Sequence, residues 1–142
     1  MIDKLYLEIE SSCDAIYEAK EKILNFIEPY YEEDVNTLAV GLLEMLNNAL
    51  EHGNSMDANK EIIIEVFVNS TQIKIVIADQ GSGFDWQSEL EQKLEIGFDI
   101  EQQFIQDRGR GMLLANSCYD DFYYNEEGNA VTMIKQREKP RA

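Results

Sequence analysis

Apolar and polar positions alternate along residues 3–9 (DKLYLEI), the period of a half-buried strand. The period then lengthens. Ile16, Ile23, Phe26 and Ile27 mark the inner face of a helix that Ser11, Ser12 or Asp14 can cap and that runs to about Glu28. EPYYEED reads as a turn. A second helix is expected from near Asp34 to about His52, with Leu38, Leu42, Met45, Leu46, Ala49 and Leu50 inward and Gly53 as its stop. Two strands come next, EIIIEVFV (61–68) and QIKIVIAD (72–79), joined by the short turn NST into a hairpin. DQGSGFDW is turn-like, and residues 88–105 are acidic and helix-prone with a break near Gly97. DRGRGMLLANSCYD predicts a glycine-rich loop leading into a short helix. YDDFYYN and NAVTMIKQ flank EEG and predict a closing hairpin.

The order is thus β-α-α-β-β, an acidic segment, then α-β-β. Helices grouped against mostly antiparallel strands predict an α+β fold, a two-layer sandwich with helices on one face of the sheet. A chain of 142 residues suits one domain, 1–142, with a core that needs no staples. The two prolines, Pro29 and Pro140, interrupt no periodic segment.

Charge narrows the partners. The chain carries 28 Asp and Glu against 12 Lys and Arg, a net charge of −16, which argues against a nucleic-acid backbone or an anionic membrane. A phosphate ligand stays open, because backbone amides and a metal ion hold phosphate without net positive charge. Cys13 and Cys118 are far apart, form no zinc or CxxC pattern, and are expected as reduced thiols in a cytoplasmic protein. No signal-peptide pattern opens the sequence, and no apolar run approaches the length of a membrane span.

Three patches hold polar or glycine residues that a plain core does not need. In LLEMLNNALEHGN (42–54), Glu44, Asn48 and His52 fall at i, i+4 and i+8, along roughly one helix face. Burying such groups unpaired costs several kcal/mol as an order of magnitude. Either they form the polar edge of an amphipathic helix, or they face a cleft. Asn48 offers an amide oxygen suited to Mg²⁺, and Glu44 a carboxylate able to take a proton near it. In the second patch, D79QGSGF, Asp79 ends an apolar strand, where it can accept from the exocyclic amine of a base. Gly81 and Gly83 permit close backbone approach, though a tight loop after a strand uses the same residues. In the third, R108GRG111M, the amides of a glycine turn opening a helix can bind phosphate, and Arg108 or Arg110 can pair with a phosphoryl oxygen. Surface arginines on a loop are the plainer account. No GxxxxGK[ST] loop and no complete dinucleotide fingerprint occurs, and the single histidine argues against a zinc site.

The three patches occur in order along the chain. Together, ExxxNAxxHG and DxGxGF resemble the GHKL (Bergerat-fold) ATPase superfamily, and the small anti-sigma-factor serine kinase branch in particular. The likeness runs from the first strand to the closing hairpin. It implies ATP and Mg²⁺ as cofactors, Glu44 as catalytic base and Asn48 as metal ligand. It implies Asp79 as the adenine reader, Gly81 and Gly83 in a first glycine box, and Gly109 and Gly111 in a second box beside the triphosphate. The polar row would then face a nucleotide cleft, with His52 at most tying the helix end to a lid. Kinases of this branch carry an arginine just before the second box. Here Arg108 precedes Gly109 and Arg110 lies between the glycines, so the choice between them stays open.

The resemblance implies an ATP-dependent serine/threonine protein kinase that also works as a binding switch. Its partners would be a sigma factor, a small antagonist protein, or both, and the branch favours a homodimer. Residues 88–105 would serve as a helical lid or a docking surface. The alternative is a non-catalytic, nucleotide-gated partner-binding module, which has no need of a base at Glu44. The catalytic domain of a histidine kinase is a weaker third reading, because the only histidine lies inside the second predicted helix.

Overall fold

A computed structural model describes residues 2–96 and 108–137; the side chains of Ile96 and Arg108 are outside that description. Strand β1 (Asp3–Glu10) leads into helix α1 (Cys13–Ile27). Of the three candidate caps, Ser12 is the one used: its backbone is extended and its hydroxyl accepts from the Ala15 amide at 3.1 Å. Ile16, Ala19, Ile23 and Ile27 fall on one stripe of α1 and are buried, whereas Phe26 is only half-buried. A short 3₁₀ turn (Glu28–Tyr30) with Pro29 in its first turn redirects the chain to α2 (Asn36–Asn48), slightly later than the expected start at Asp34.

The predicted inward set of the second helix is all buried. Its end differs from expectation. Instead of stopping at a simple glycine cap, the chain makes a π turn (Ala49–Gly53), closed by the Asn54 amide donating to the Ala49 carbonyl at 2.8 Å. A π turn holds an extra residue and rotates the chain beyond it, a distortion frequent at functional sites.

Strands β2 (Glu61–Val68) and β3 (Gln72–Ala78) form the expected hairpin. Helix α3 (Trp86–Ile96) occupies the start of the acidic segment; the break near Gly97 and the rest of that segment lie outside the described residues. Helix α4 begins at Arg108 and runs to Cys118, so Gly109 and Gly111 lie in its first turn rather than in a loop before it. Strands β4 (Asp121–Tyr124) and β5 (Ala130–Gln136) close the described chain.

The five strands are antiparallel throughout, in the order β1-β2-β3-β5-β4, giving the α+β sandwich with its helices packed against one face. Two apolar rows cross the whole sheet: Leu7, Ile64, Ile77, Val131 and Tyr124, and beside it Leu5, Val66, Ile75, Met133 and Phe122. Each such large side chain contributes about 1.5–3 kcal/mol when fully buried. A one-residue slip would turn its strand's row members outward, so the rows fix the register. Helix α4 closes the helical layer by lying on α2. A Cβ on Gly41 would be 2.9 Å from the Tyr119 ring and 3.1 Å from the Ala115 Cα, so only glycine lets the two helices meet there. Among the described residues, no helix is long and apolar enough to cross a membrane.

Candidate nucleotide-binding site

Asp79 follows the last residue of β3, and its amide donates to the Asn129 carbonyl at 2.9 Å, an extension of the β3–β5 pairing. Its Oδ1 accepts from the Gly81 amide at 2.8 Å. The carboxylate is therefore oriented by the loop that follows it, an Asx turn of the kind Asp favours. On its other side lies the π turn. A Cβ on Gly53 would overlap the Asp79 carboxylate and stand 2.8 Å from the Asp79 Cβ. A Cβ on Gly81 would overlap the Gly53 carbonyl oxygen and stand 2.9 Å from Asp79 Oδ1. Asp79 is thus held between two glycines, each needed because backbone meets backbone or carboxylate there.

Gly83 answers a different need. Its φ is +86°, a left-handed conformation, and a Cβ there would collide with the Glu127 carbonyl group. Gly128, at φ +81°, reciprocates: a Cβ there would stand 2.7 Å from the Phe84 amide nitrogen. The two loops interlock through paired glycines. Asn125 holds the β4–β5 side of the clasp, its Oδ1 accepting from the amides of Gly128 (2.8 Å) and Asn129 (2.9 Å).

These elements enclose a cleft of about 450 Å³. Asp79, Gly81 and Gly83 line it, together with Asn48 and His52 from the opposing helix end. The size suits a cofactor, since small-molecule sites span roughly 300–1,000 Å³. Its apolar wall is Phe84, edge-on to Tyr124 with centroids 5.0 Å apart. Lys60 and His52 bring basic side chains to a cleft that is otherwise acidic or neutral.

The row on α2 divides. Asn48 is buried, at 8 % exposure, and faces the cleft; His52 is exposed on the π turn. Glu44 is not part of the cleft lining and lies one turn back, under α4. A Cβ on Gly111 would stand 2.9 Å from Glu44 Oε2 and 3.4 Å from both amide atoms of Asn48. The N-terminal turn of α4, the positive end of its dipole, therefore rests on Glu44 and Asn48. Gly109 is buried and Arg110 half-buried in that turn. The Arg108 side chain, the other candidate for a phosphoryl contact, lies outside the described residues.

Several site residues escape a reading of the sequence. Gly53 reads as a helix stop, whereas its lack of a side chain makes room for Asp79. Gly128 sits in an ordinary-looking hairpin turn. Lys60 and Tyr124 carry no local signal, because their relation to Asp79 is made by strand order alone.

Comparison with known proteins agrees with this arrangement. The family described as histidine kinase-like ATPase domain matches residues 11–135. Serine-protein kinase RsbW of Staphylococcus aureus (strain Newman) is 30% identical over 112 residues, covering 75% of this chain and 69% of the relative. The protein of the same name from Staphylococcus epidermidis is 29% identical over 111 residues, with the same coverage. On the extent of the family match and the coverage of these relatives, the chain belongs to the histidine kinase-like ATPase domain family.

Proposed function

We infer that this chain binds Mg-ATP and acts as a regulatory serine/threonine protein kinase of the anti-sigma-factor kind, controlling a protein partner by binding and by phosphorylation. The observation that carries the reading is the contact of α4 with α2: Gly111 sets the first turn of α4 on Glu44 and Asn48. A candidate base, a candidate metal ligand and a helix N-terminus are thereby brought together beside the cleft that holds Asp79.

The residues fit the group. Asn48 presents a neutral hard oxygen donor, which would suit a Mg²⁺ ion. The N-terminal end of α4 favours negative charge, which suits a polyphosphate. When bound, Mg-ATP supplies a transferable γ-phosphoryl group and a metal ion that neutralises its charge. Asp79 accepts from the adenine amine, whereas the guanine carbonyl would face the carboxylate with no donor between them. Glu44, one turn from Asn48, accepts the proton of a serine or threonine hydroxyl and orients it. Arg110 or Arg108 pairs with a phosphoryl oxygen.

The relatives' name, serine-protein kinase, supports the acceptor class. As partners we infer a sigma factor, a small antagonist protein carrying the acceptor, or both. We place the protein in the cytoplasm and infer a homodimer. A net charge of −16 favours partners with basic patches.

The decisive experiment follows radiolabelled γ-phosphate onto a small antagonist protein encoded near this one. Glu44→Gln keeps shape but cannot take a proton, so it is expected to retain ATP affinity and to lose about 10²–10⁴-fold in transfer rate. ATP-dependent association with no label transfer, identical in parent and variant, would refute the kinase and leave a nucleotide-gated binding module.

A further inference from the structure

Asn54 plays no part in the chemistry above, yet it is completely buried, at 0 % exposure. A polar side chain in a core is costly unless its bonding groups are used. Here they all are. Oδ1 accepts from the Gln80 amide at 2.7 Å, and Nδ2 donates to Ser11 Oγ and to the Glu61 carbonyl, both at 2.9 Å. The Gln80 amide can only donate and the Glu61 carbonyl can only accept, so the side chain has a single orientation.

The partners matter more than their number. Gln80 lies between Asp79 and Gly81, the two residues whose 2.8 Å hydrogen bond orients the carboxylate. Asn54 itself follows Gly53, whose bare Cα gives that carboxylate room. A second strut runs parallel, the Gln80 Oε1 accepting from the Glu61 amide at 2.8 Å. One buried side chain therefore joins the end of the π turn to the peptide between Asp79 and Gly81.

We propose that Asn54 is a positioning residue for base selection: through the Gln80 amide it holds the Asp79–Gly81 turn against Gly53, and so sets the preference for adenine over guanine without touching the ligand. The inference rests on the adenine-reading role proposed for Asp79. The mechanism is angular. A hydrogen bond weakens steeply as its donor swings off axis. Release of the Gln80 peptide lets the Gly81 amide turn, and the carboxylate loses the aim that distinguishes an amine from a carbonyl.

Two variants separate positioning from bulk stability. Asn54→Ala removes the acceptor for the Gln80 amide. Asn54→Asp restores that acceptor but sets a carboxylate against the Glu61 carbonyl, so its stability falls at least as far. Calorimetry with ATP and GTP is expected to show the preference reduced about tenfold in Asn54→Ala and largely recovered in Asn54→Asp. A preference that follows thermal stability instead, or that Asn54→Ala retains in full, overturns the proposal. Hydrogen exchange on the unmodified protein decides even if neither variant folds. The Gln80 amide, in an exposed loop residue, is expected to exchange at least about a hundredfold more slowly than open backbone, and unprotected exchange overturns the proposal. A parent that fails to discriminate ATP from GTP refutes the Asp79 reading together with this one. A discriminating parent whose Asn54→Ala variant discriminates equally refutes this one alone.

Discussion

Replacing Gly53 by alanine tests the base-reading role proposed for Asp79 with a single methyl group. That methyl would overlap the Asp79 carboxylate and stand 2.8 Å from its Cβ. The carboxylate must rotate away, and rotation breaks its 2.8 Å hydrogen bond from the Gly81 amide. A hydrogen bond to a charged group contributes about 1.5–3 kcal/mol. An off-rotamer side chain adds roughly 0.5–1.5 kcal/mol. Against this, Gly→Ala gains about 0.4–1 kcal/mol by restricting the unfolded chain. The net loss is about 1–4 kcal/mol. At roughly 4 °C per kcal/mol for a chain of this size, the Tm falls by about 4–16 °C. The larger expected effect is on binding: loss of one specific base contact reduces the preference for ATP over GTP by about ten- to a hundredfold. Circular dichroism melts and calorimetry with both nucleotides read the two quantities. Gly41→Ala is the matched control. Its methyl would press on the Tyr119 ring and the Ala115 backbone, far from Asp79 in the architecture, so it is expected to lower Tm and leave the nucleotide preference alone. If Gly53→Ala keeps both the Tm and the ATP preference of the parent, the carboxylate does not depend on that gap and the reasoning fails.

Asn48→Ala is expected to abolish the Mg²⁺ dependence of nucleotide binding while the helix keeps its apolar face, since alanine is the better helix former. Titration of ATP with and without Mg²⁺ checks it, and a variant with the parent's metal response excludes Asn48 as a ligand. Tyr119 is buried, its hydroxyl donates to the Leu38 carbonyl at 3.0 Å, and burial pushes its pKa well above the ordinary tyrosine range. Its folded pKa lies above its unfolded one, so its contribution is complete below the unfolded value near 10 and declines as pH rises beyond it. Tyr119→Phe is accordingly expected to cost about 1 kcal/mol at neutral pH and to flatten the loss of stability above about pH 10, as measured by urea titrations at both pH values.

Much of this architecture is legible in the pattern of the chain. Alternation in residues 3–9, 61–68 and 72–79 marks strands whose inward residues form the two rows across the sheet. The 3.6-residue period marks α1 and α2 for the same reason: each buries one face. Periodicity reports which face is buried, however, and not what lies opposite. It therefore says nothing of β5 entering between β3 and β4. Local propensity also misleads at R108GRG111, where two glycines argue for a loop. The helix forms there as Gly111 lets it settle on α2, a tertiary gain set against a propensity cost of about 1 kcal/mol per glycine. At the site, Glu44, Asn48 and Asp79 stand out because carboxylates and amides beside apolar runs are expensive. Asn54 does not, since a lone asparagine after a helix is ordinary. Only the fold reveals that it is buried and fully bonded.

The place of β5 has a consequence for how the protein is made. Residues 130–136 come last in the described chain, yet they form an interior strand, flanked by β3 on one side and β4 on the other. During translation, β1, β2 and β3 can pair as soon as they emerge. The growing sheet then waits with the open edge of β3 exposed, and β4 has no partner until β5 is delivered. A ribosome that stalls, or a message that stops, before residue 130 leaves a nascent chain with most of its apolar surface made and the strand that joins β3 to β4 missing. Such fragments are natural clients for chaperones and proteases. Fusions or tags that hinder the last strand from reaching its slot should lower the yield of folded protein more than changes near β1 do.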